Sequence, residues 1–485
     1  MMPPLRERIN HLPAPVRAAL VKMLANGLDA DQLSHAPEMF DWEVTEALAQ
    51  LDAADEPRPR VVVTGLGALT PVGLTATETW QSLVAGRSGI ARVTQFDASA
   101  YPCQIAGEIK GFDPQNYGIR VNEARRMARC AQVTLVAGTQ AMADAGISWT
   151  EDEMPRVGVC IGTGLGGFDL AQEGFKEYWR TGVARVRPHV VTGILPNMPA
   201  FYLSQAFHCK GPLSTVVTAC AAGTQAIGEA TEIIRRGAAD VILAGGVEAL
   251  IGHPFFGGFT ALRAISTRND EPERASRPFD AQRDGFVIGE GVAILVLERL
   301  EHALKRGARI YAEILGQSAT ADAYHIAAPE PEGAGASRAM ASALADAGLK
   351  PRDVDYINAH GTATPLGDPS ETRAIKQVFG EYAYDVAISS TKSMIGHAFG
   401  GAGAIEALAC VNTVYHDTIH PTINYEYPDP DCDLDYVPNV ARHTPVRVAL
   451  SNSFGLGGQN ACLVVAKYTN QNHNGNRTQY ADSHQ

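Results

Sequence analysis

The sequence predicts an α/β protein whose sheets are mostly buried. Three observations carry this. Short β-branched runs alternate with longer stretches of helical spacing along most of the chain. The runs are apolar throughout rather than alternating, as expected of strands covered on both faces. Many of the 47 glycines gather beside these runs, where tight strand-to-helix turns need them.

The first 58 residues stand apart. After Pro13-Ala14-Pro15, the stretch VRAALVKMLANGL places Val16, Leu20, Met23 and Leu24 at helical spacing. A second helical stretch surrounds WEVTEALAQL and ends near Asp55-Glu56-Pro57. Residues 1–58 are therefore expected to form a helical extension and linker. At Arg60 the pattern changes. RVVVTGLGAL reads as a buried strand closed by glycines. VGVCIGTG, LSTVVTAC, DVILAGGVE, AILVLERL, VDYINAHG and ACLVVAKY read as further strands. EARRMARCAQVTLVAGTQAMADAG and GTQAIGEATEIIRRG read as helices between them. The runs VVVTGLG and IYAEILGQS are loosely alike, a hint of two related halves at residues 59–308 and 309–468. The polar tail, residues 469–485, lacks apolar periodicity and is expected to be disordered.

Composition narrows the function. The glycines are not periodic, which excludes a collagen-like chain. A net charge of −13 argues against nucleic acid or a membrane surface as partner. No apolar run reaches the roughly 18 residues of a membrane span, and the start lacks a secretory pattern. The eight cysteines occur singly, without CxxC pairs. Cys160 and Cys410, inside apolar runs, read as small buried hydrophobes. A reducing cytoplasm is the expected location.

Four segments carry chemistry. In LSTVVTACAAGTQAIGEATEIIRRG, an apolar strand ends at Cys220, small residues follow, and a helix begins. A cysteine at a helix N-terminus is expected to be favoured as the thiolate. In VDYINAHGTATPLGD a strand delivers His360 to a loop. In ISSTKSMIGHAFGGAGAIEAL a strand precedes Lys392, His397 and a helix that carries Glu406. In RVALSNSFGLGGQNACLVVA the glycines of FGLGG let backbone N–H groups face a ligand, as an oxyanion site requires. Neither histidine has a metal-binding spacing, so no metal is expected. IGTGLGG is GxGxGG, not the dinucleotide fingerprint. A cysteine hydrolase needs one histidine. A second histidine suits a second developing negative charge, such as the enolate of a decarboxylated malonyl unit.

TACAAGTQ, NAHGTATPLGD, TKSMIGHAFGGAGAIE and SNSFGLGG, in this order, resemble the active-site blocks of the β-ketoacyl-[acyl carrier protein] synthases, closest to the synthase II type. RVVVTGLGALTPVG, STRNDEPERASRPFDAQRDGFVIGEG and PTINYEYPDPDCDLDYVPNVAR also match, and the likeness spans residues 59–468. The resemblance implies a thiolase-like five-layered αβαβα sandwich of two similar halves, and a homodimer. It implies acyl-carrier-protein thioesters as partners and no cofactor of the enzyme's own, since phosphopantetheine arrives on the carrier. Cys220 would accept the acyl group. His360 and His397 would serve malonyl decarboxylation, with Lys392 and Glu406 in support. Backbone N–H groups of Cys220 and Leu456 would form the oxyanion hole. Leu165, Phe454 and Leu456 would form the acyl pocket and gate, and Arg125, Arg126 and Arg263 would dock the carrier.

Three departures from the pattern concern substrate and pathway. Leu456 stands where synthase II commonly has Phe, Ala221-Ala222 where Thr-Ser is common, and the N-terminal extension lies outside the family. The competing readings are a polyketide-type ketosynthase of a specialised pathway and a chain-length-factor-like subunit. Cys220 speaks against the latter, which typically lacks the nucleophile. A thiolase acting on CoA esters is a third.

Overall fold

The computed structural model of the protein describes residues 58–182 and 185–469. The expected helical extension and disordered tail fall, but for one residue each, outside the described residues.

Ten strands form the central structure. The first five are β1 (Val61–Leu69), β2 (Val157–Gly162), β3 (Leu213–Val216), β4 (Val241–Glu248) and β5 (Gly291–Arg299). The second five are β6 (Ala312–Ala321), β7 (Tyr356–Asn358), β8 (Ala387–Ser389), β9 (Val448–Gly455) and β10 (Gln459–Ala466). Their order across the sheet is β3-β2-β4-β5-β1-β6-β10-β9-β7-β8. Outward from the seam, the first five run 1-5-4-2-3 and the second five 6-10-9-7-8. The two halves thus share one topology, including the strand directions. They join where β1 and β6 pair antiparallel through Val61↔Ile314, Val62↔Glu313 and Val63↔Ala312.

Six helices complete the layers: α1 (Arg129–Ala145), α2 (Met198–Phe207), α3 (Ala222–Arg235), α4 (Ala334–Ala347), α5 (Gly367–Phe379) and α6 (Ala402–His416). α1 and α2 cover one outer face, α4 and α5 the other, and α3 and α6 lie between the two halves of the sheet. This gives five layers. α6 reads AGAIEALACVNTVYH and is buried nearly all round, as a helix with no polar face must be.

The glycines of VVVTGLGAL do not close the strand as expected. β1 runs through them to Leu69. A Cβ on Gly65 would lie 2.3 Å from the Ala141 carbonyl oxygen, and one on Gly67 1.9 Å from that of Ala137. These glycines let α1 approach the sheet. Gly316 of β6 does the same for α4, 2.4 Å from the Ala343 oxygen. The helix expected from Glu123 onward is also broken. A short turn, Val121–Ala124, precedes α1, and Arg125 and Arg126 sit at the break.

Gly67→Ala is expected to lower stability by about 1–3 kcal/mol through overpacking, and thermal unfolding of the purified variant measures it. An unchanged midpoint would mean that α1 can retreat without cost.

Candidate active site

Two strand-to-helix junctions, at equivalent places in the two halves, build the site. β3 leads through Thr218 to Ala219, whose φ is +49°. Cys220 follows in a single tight turn before α3. In the second half, β8 leads through Lys392 to His397, and Phe399, with φ +41°, opens the turn before α6. A left-handed residue with a side chain is strained and is held only where surrounding structure fixes it. Both junctions have one beside the reactive group. β7 supplies the third member, His360, in the loop after Asn358.

The three reactive side chains meet although 177 residues separate Cys220 from His397. His397 Nε2 lies 2.9 Å from Cys220 Sγ. The rings of His360 and His397 stand nearly perpendicular, their centroids 5.4 Å apart. The Phe399 backbone N–H donates to His397 Nδ1 at 3.3 Å. That assigns the imidazole proton to Nε2, facing the sulfur. The thiol and the two rings are the one group among the described residues with metal-ligand spacing, all three atoms within 4.8 Å of one another. With its proton on Nε2, however, His397 faces Cys220 as a donor rather than as a ligand.

Burial sets the electrostatics. Both histidines are pushed far below the ordinary imidazole range by burial, and the nearby Lys392 charge lowers them further. They are neutral near pH 7 and donate hydrogen bonds without carrying charge. Lys392 is itself buried and contacts Glu406, whose carboxyl burial raises. Ser453 reaches the other Glu406 oxygen at 3.5 Å and Thr224 at 2.8 Å.

The expected thiolate at the helix N-terminus is not the resting state. Burial pushes the Cys220 thiol up to about 11, against the lowering by the Leu456 N–H and by Lys392. Desolvation outweighs the dipole because the sulfur is enclosed. The N–H groups of Leu456 and of Cys220 both act on the sulfur. Gly455 permits this approach: a Cβ there would come to 3.1 Å from the Cys220 nitrogen.

A cavity of about 550 Å³ reaches the three reactive groups, with Phe454, Leu456 and Arg263 also in its wall. Leu165 does not line it. That side chain is exposed, and its N–H donates to Glu248 at 3.2 Å. Arg125 and Arg126 are exposed but lie away from the cavity wall, and Arg263 alone of the three arginines lines it.

Sequence reasoning missed two carboxylates. Glu371 accepts the N–H groups of His360 (2.9 Å) and Gly361 (2.8 Å), and so holds the His360 loop. Glu248 accepts from two loops at the site. An acid at the end of the apolar run DVILAGGVE was the available signal.

With the thiol near 11, alkylation of Cys220 by iodoacetamide should accelerate about tenfold per pH unit between pH 8 and 10. A plateau below pH 8 would show that the thiolate is already formed there.

Comparison with known proteins agrees with this arrangement. The β-ketoacyl synthase N-terminal domain family matches residues 58–303, and the C-terminal domain family matches residues 311–426. The chain is 50% identical over 411 residues to the 3-oxoacyl-[acyl-carrier-protein] synthase 2 of Synechocystis sp., covering 85% of this chain and 99% of that protein. It is 47% identical over 408 residues to the synthase of the same name from Coxiella burnetii, covering 84% and 98%. Among solved structures, a β-ketoacyl synthase from Burkholderia phymatum superposes with a TM-score of 0.79 at 37% identity, covering 85% of this chain and all of that one. A type II polyketide ketosynthase solved with its acyl-carrier protein superposes with a TM-score of 0.79 at 35% identity, over the same shares. The fold is accordingly the thiolase-like sandwich of two similar halves, and the chain belongs to the β-ketoacyl synthase family.

Proposed function

We propose that this enzyme extends acyl chains in fatty acid biosynthesis by condensing an acyl group, carried on Cys220, with malonyl-acyl-carrier-protein to give a 3-oxoacyl product. One observation carries the reading: a buried thiol 2.9 Å from the Nε2 of a neutral histidine, beside a second neutral histidine, on one cavity.

In the first half-reaction the Cys220 sulfur attacks the acyl thioester. The thioester C–S bond breaks, and the thiol proton ends on the departing phosphopantetheine sulfur. The tetrahedral oxyanion is held by the N–H groups of Cys220 and Leu456. In the second, the malonyl carboxyl leaves as CO2, and its electron pair becomes an enolate. His360 and His397 donate hydrogen bonds to the enolate oxygen. The enolate carbon then attacks the acyl carbonyl, and Cys220 leaves as thiolate, which takes up a proton from water to return to the resting thiol. Burial, reinforced by the Lys392 charge, keeps both rings neutral donors, and the Lys392–Glu406 contact satisfies the lysine's own buried charge. The enzyme supplies no cofactor in this scheme.

The identities of 47–50% with synthase 2 enzymes, against 35% with the polyketide ketosynthase, support the fatty acid pathway over a specialised one. The intact nucleophile opposes a chain-length-factor role. Phe454 packs near the His360 ring, centroids 5.8 Å apart, and Leu456 covers the cavity beside it as the gate. Leucine shields less than a phenylalanine would. A homodimer belongs to this reading, with the open edge at β3, where Leu213 and Val217 are exposed, as a fitting contact. Among the described residues no helix is long and apolar enough to cross a membrane. All eight cysteines are free thiols, which suits a reducing cytoplasm.

Cys220→Ala should abolish acylation and cut condensation about 10³-fold or more. His360→Ala and His397→Ala should spare most acylation, read by intact mass, while CO2 release from malonyl-carrier falls about 10²-fold. Histidine variants that fail only in acylation would reverse the assigned roles.

Carrier docking rests on Arg263 at the cavity wall, with Arg125 and Arg126 as outlying contacts. Arg263→Glu should raise KM for acyl-carrier about 3- to 10-fold, more at low salt, and leave small acyl-CoA surrogates nearly unaffected. Equal loss with both substrates would place Arg263 in catalysis instead.

A further inference from the structure

Glu248 ends β4 and is buried, 1% exposed, and no cationic side chain pairs with it among the described residues. Burial raises its carboxyl to about 7, and four donors, two on each oxygen, work against that by favouring the ionised form. Oε1 accepts from Leu165 N–H at 3.2 Å and Thr163 Oγ1 at 3.3 Å. Oε2 accepts from Gly164 N–H at 2.7 Å and Gly400 N–H at 3.3 Å. A carboxylate suits this place because it only accepts. An amide would turn N–H groups toward N–H groups.

The four donors come from both halves of the molecule. Thr163, Gly164 and Leu165 follow β2, and this loop backs the Cys220 turn: a Cβ on Gly164 would lie 4.0 Å from the Ala219 Cα. Gly400 belongs to the turn after His397. The two loops touch directly, since a Cβ on Gly400 would come to 2.5 Å from the Gly164 nitrogen. Successive amides of one strained turn therefore have separate tasks. Phe399 N–H holds His397 Nδ1, and Gly400 N–H is held by Glu248. Phe399 sits at φ +41°, so the turn keeps its shape only while its amides are tied. The Phe399 ring also stacks on the imidazole, centroids 4.6 Å apart.

We propose that Glu248 is a positioning residue for the malonyl half-reaction: it ties the loop after β2 to the His397 turn and, through Gly400, keeps the Phe399 amide aimed at His397 Nδ1. The inference rests on the assignment of His397 to that half-reaction. Cys220 acylation uses the Leu456 and Cys220 amides and does not need the clamp. A filler of the core would affect both half-reactions alike; a clamp on His397 affects one.

The test compares Glu248→Gln, Glu248→Asp and His397→Ala with the parent enzyme. CO2 release from malonyl-carrier and acyl transfer to Cys220 are measured separately. Glu248→Gln should lower kcat for CO2 release about 10- to 100-fold, with KM little changed and acyl transfer within about 3-fold, because a small misplacement of a reacting group is costly. Glu248→Asp, which keeps the charge on a shorter arm, should recover part of the loss. Parent-like CO2 release in Glu248→Gln, or equal loss of both half-reactions, overturns the inference. Should Glu248→Gln fail to fold, Thr163→Val removes one donor and should show the same bias at about 3-fold; no bias overturns the inference. If His397→Ala releases CO2 at the parent rate, the functional reading itself falls, and the clamp falls with it.

Discussion

The structure depends on how closely α3 and α6 approach between the two halves of the sheet. A Cβ on Gly223 would meet the Ala404 nitrogen and the Gly400 oxygen at 2.8 Å each. One on Gly403 would meet Thr224 Oγ1 at 2.1 Å. The two helices are in backbone contact where they begin, and the segments that lead into them carry Cys220 and His397. Any side chain at these glycines would part the helices and open the 2.9 Å contact between sulfur and imidazole. Packing at the centre and chemistry at the cavity floor are one constraint.

Burial then decides the charge states. It raises the thiol and lowers both imidazoles, so the site rests as neutral groups around the buried Lys392–Glu406 contact. Neutral donors suit a reaction in which negative charge appears on substrate oxygens and then disappears. The donors are already oriented when that charge develops, and no protein group has to change its protonation to receive it.

Much of this was legible in the chain. Cys220 and His397 were readable because each follows an apolar strand and precedes small residues that open a helix. The glycines of GLG were misread because a strand-ending glycine and one that admits a helix look identical in sequence; only the partner, here Ala137 or Ala141, tells them apart. Glu248 and Glu371 escaped notice because they bind backbone N–H groups, which every residue but proline carries and which leave no pattern. A lowered thiol is expected from the sequence because the helix terminus is local and visible, whereas the enclosure that overrides it comes from residues outside that segment, Phe259 and Phe399 among them. Leu165 drew attention as a side chain, and its position shows only its amide in use at the site.

The repeated topology has a further consequence. Cys220 and His397 occupy matching places in two copies of one five-strand unit. In the proposed reaction one copy contributes the group that makes and breaks a covalent bond, and the other contributes histidines that donate hydrogen bonds. Neither copy is an enzyme by itself, and their division of labour requires that they stay in fixed register. The antiparallel seam of three residue pairs between β1 and β6 is therefore more than a sheet joint: it is the hinge pin across which a symmetric scaffold becomes a chemically asymmetric machine.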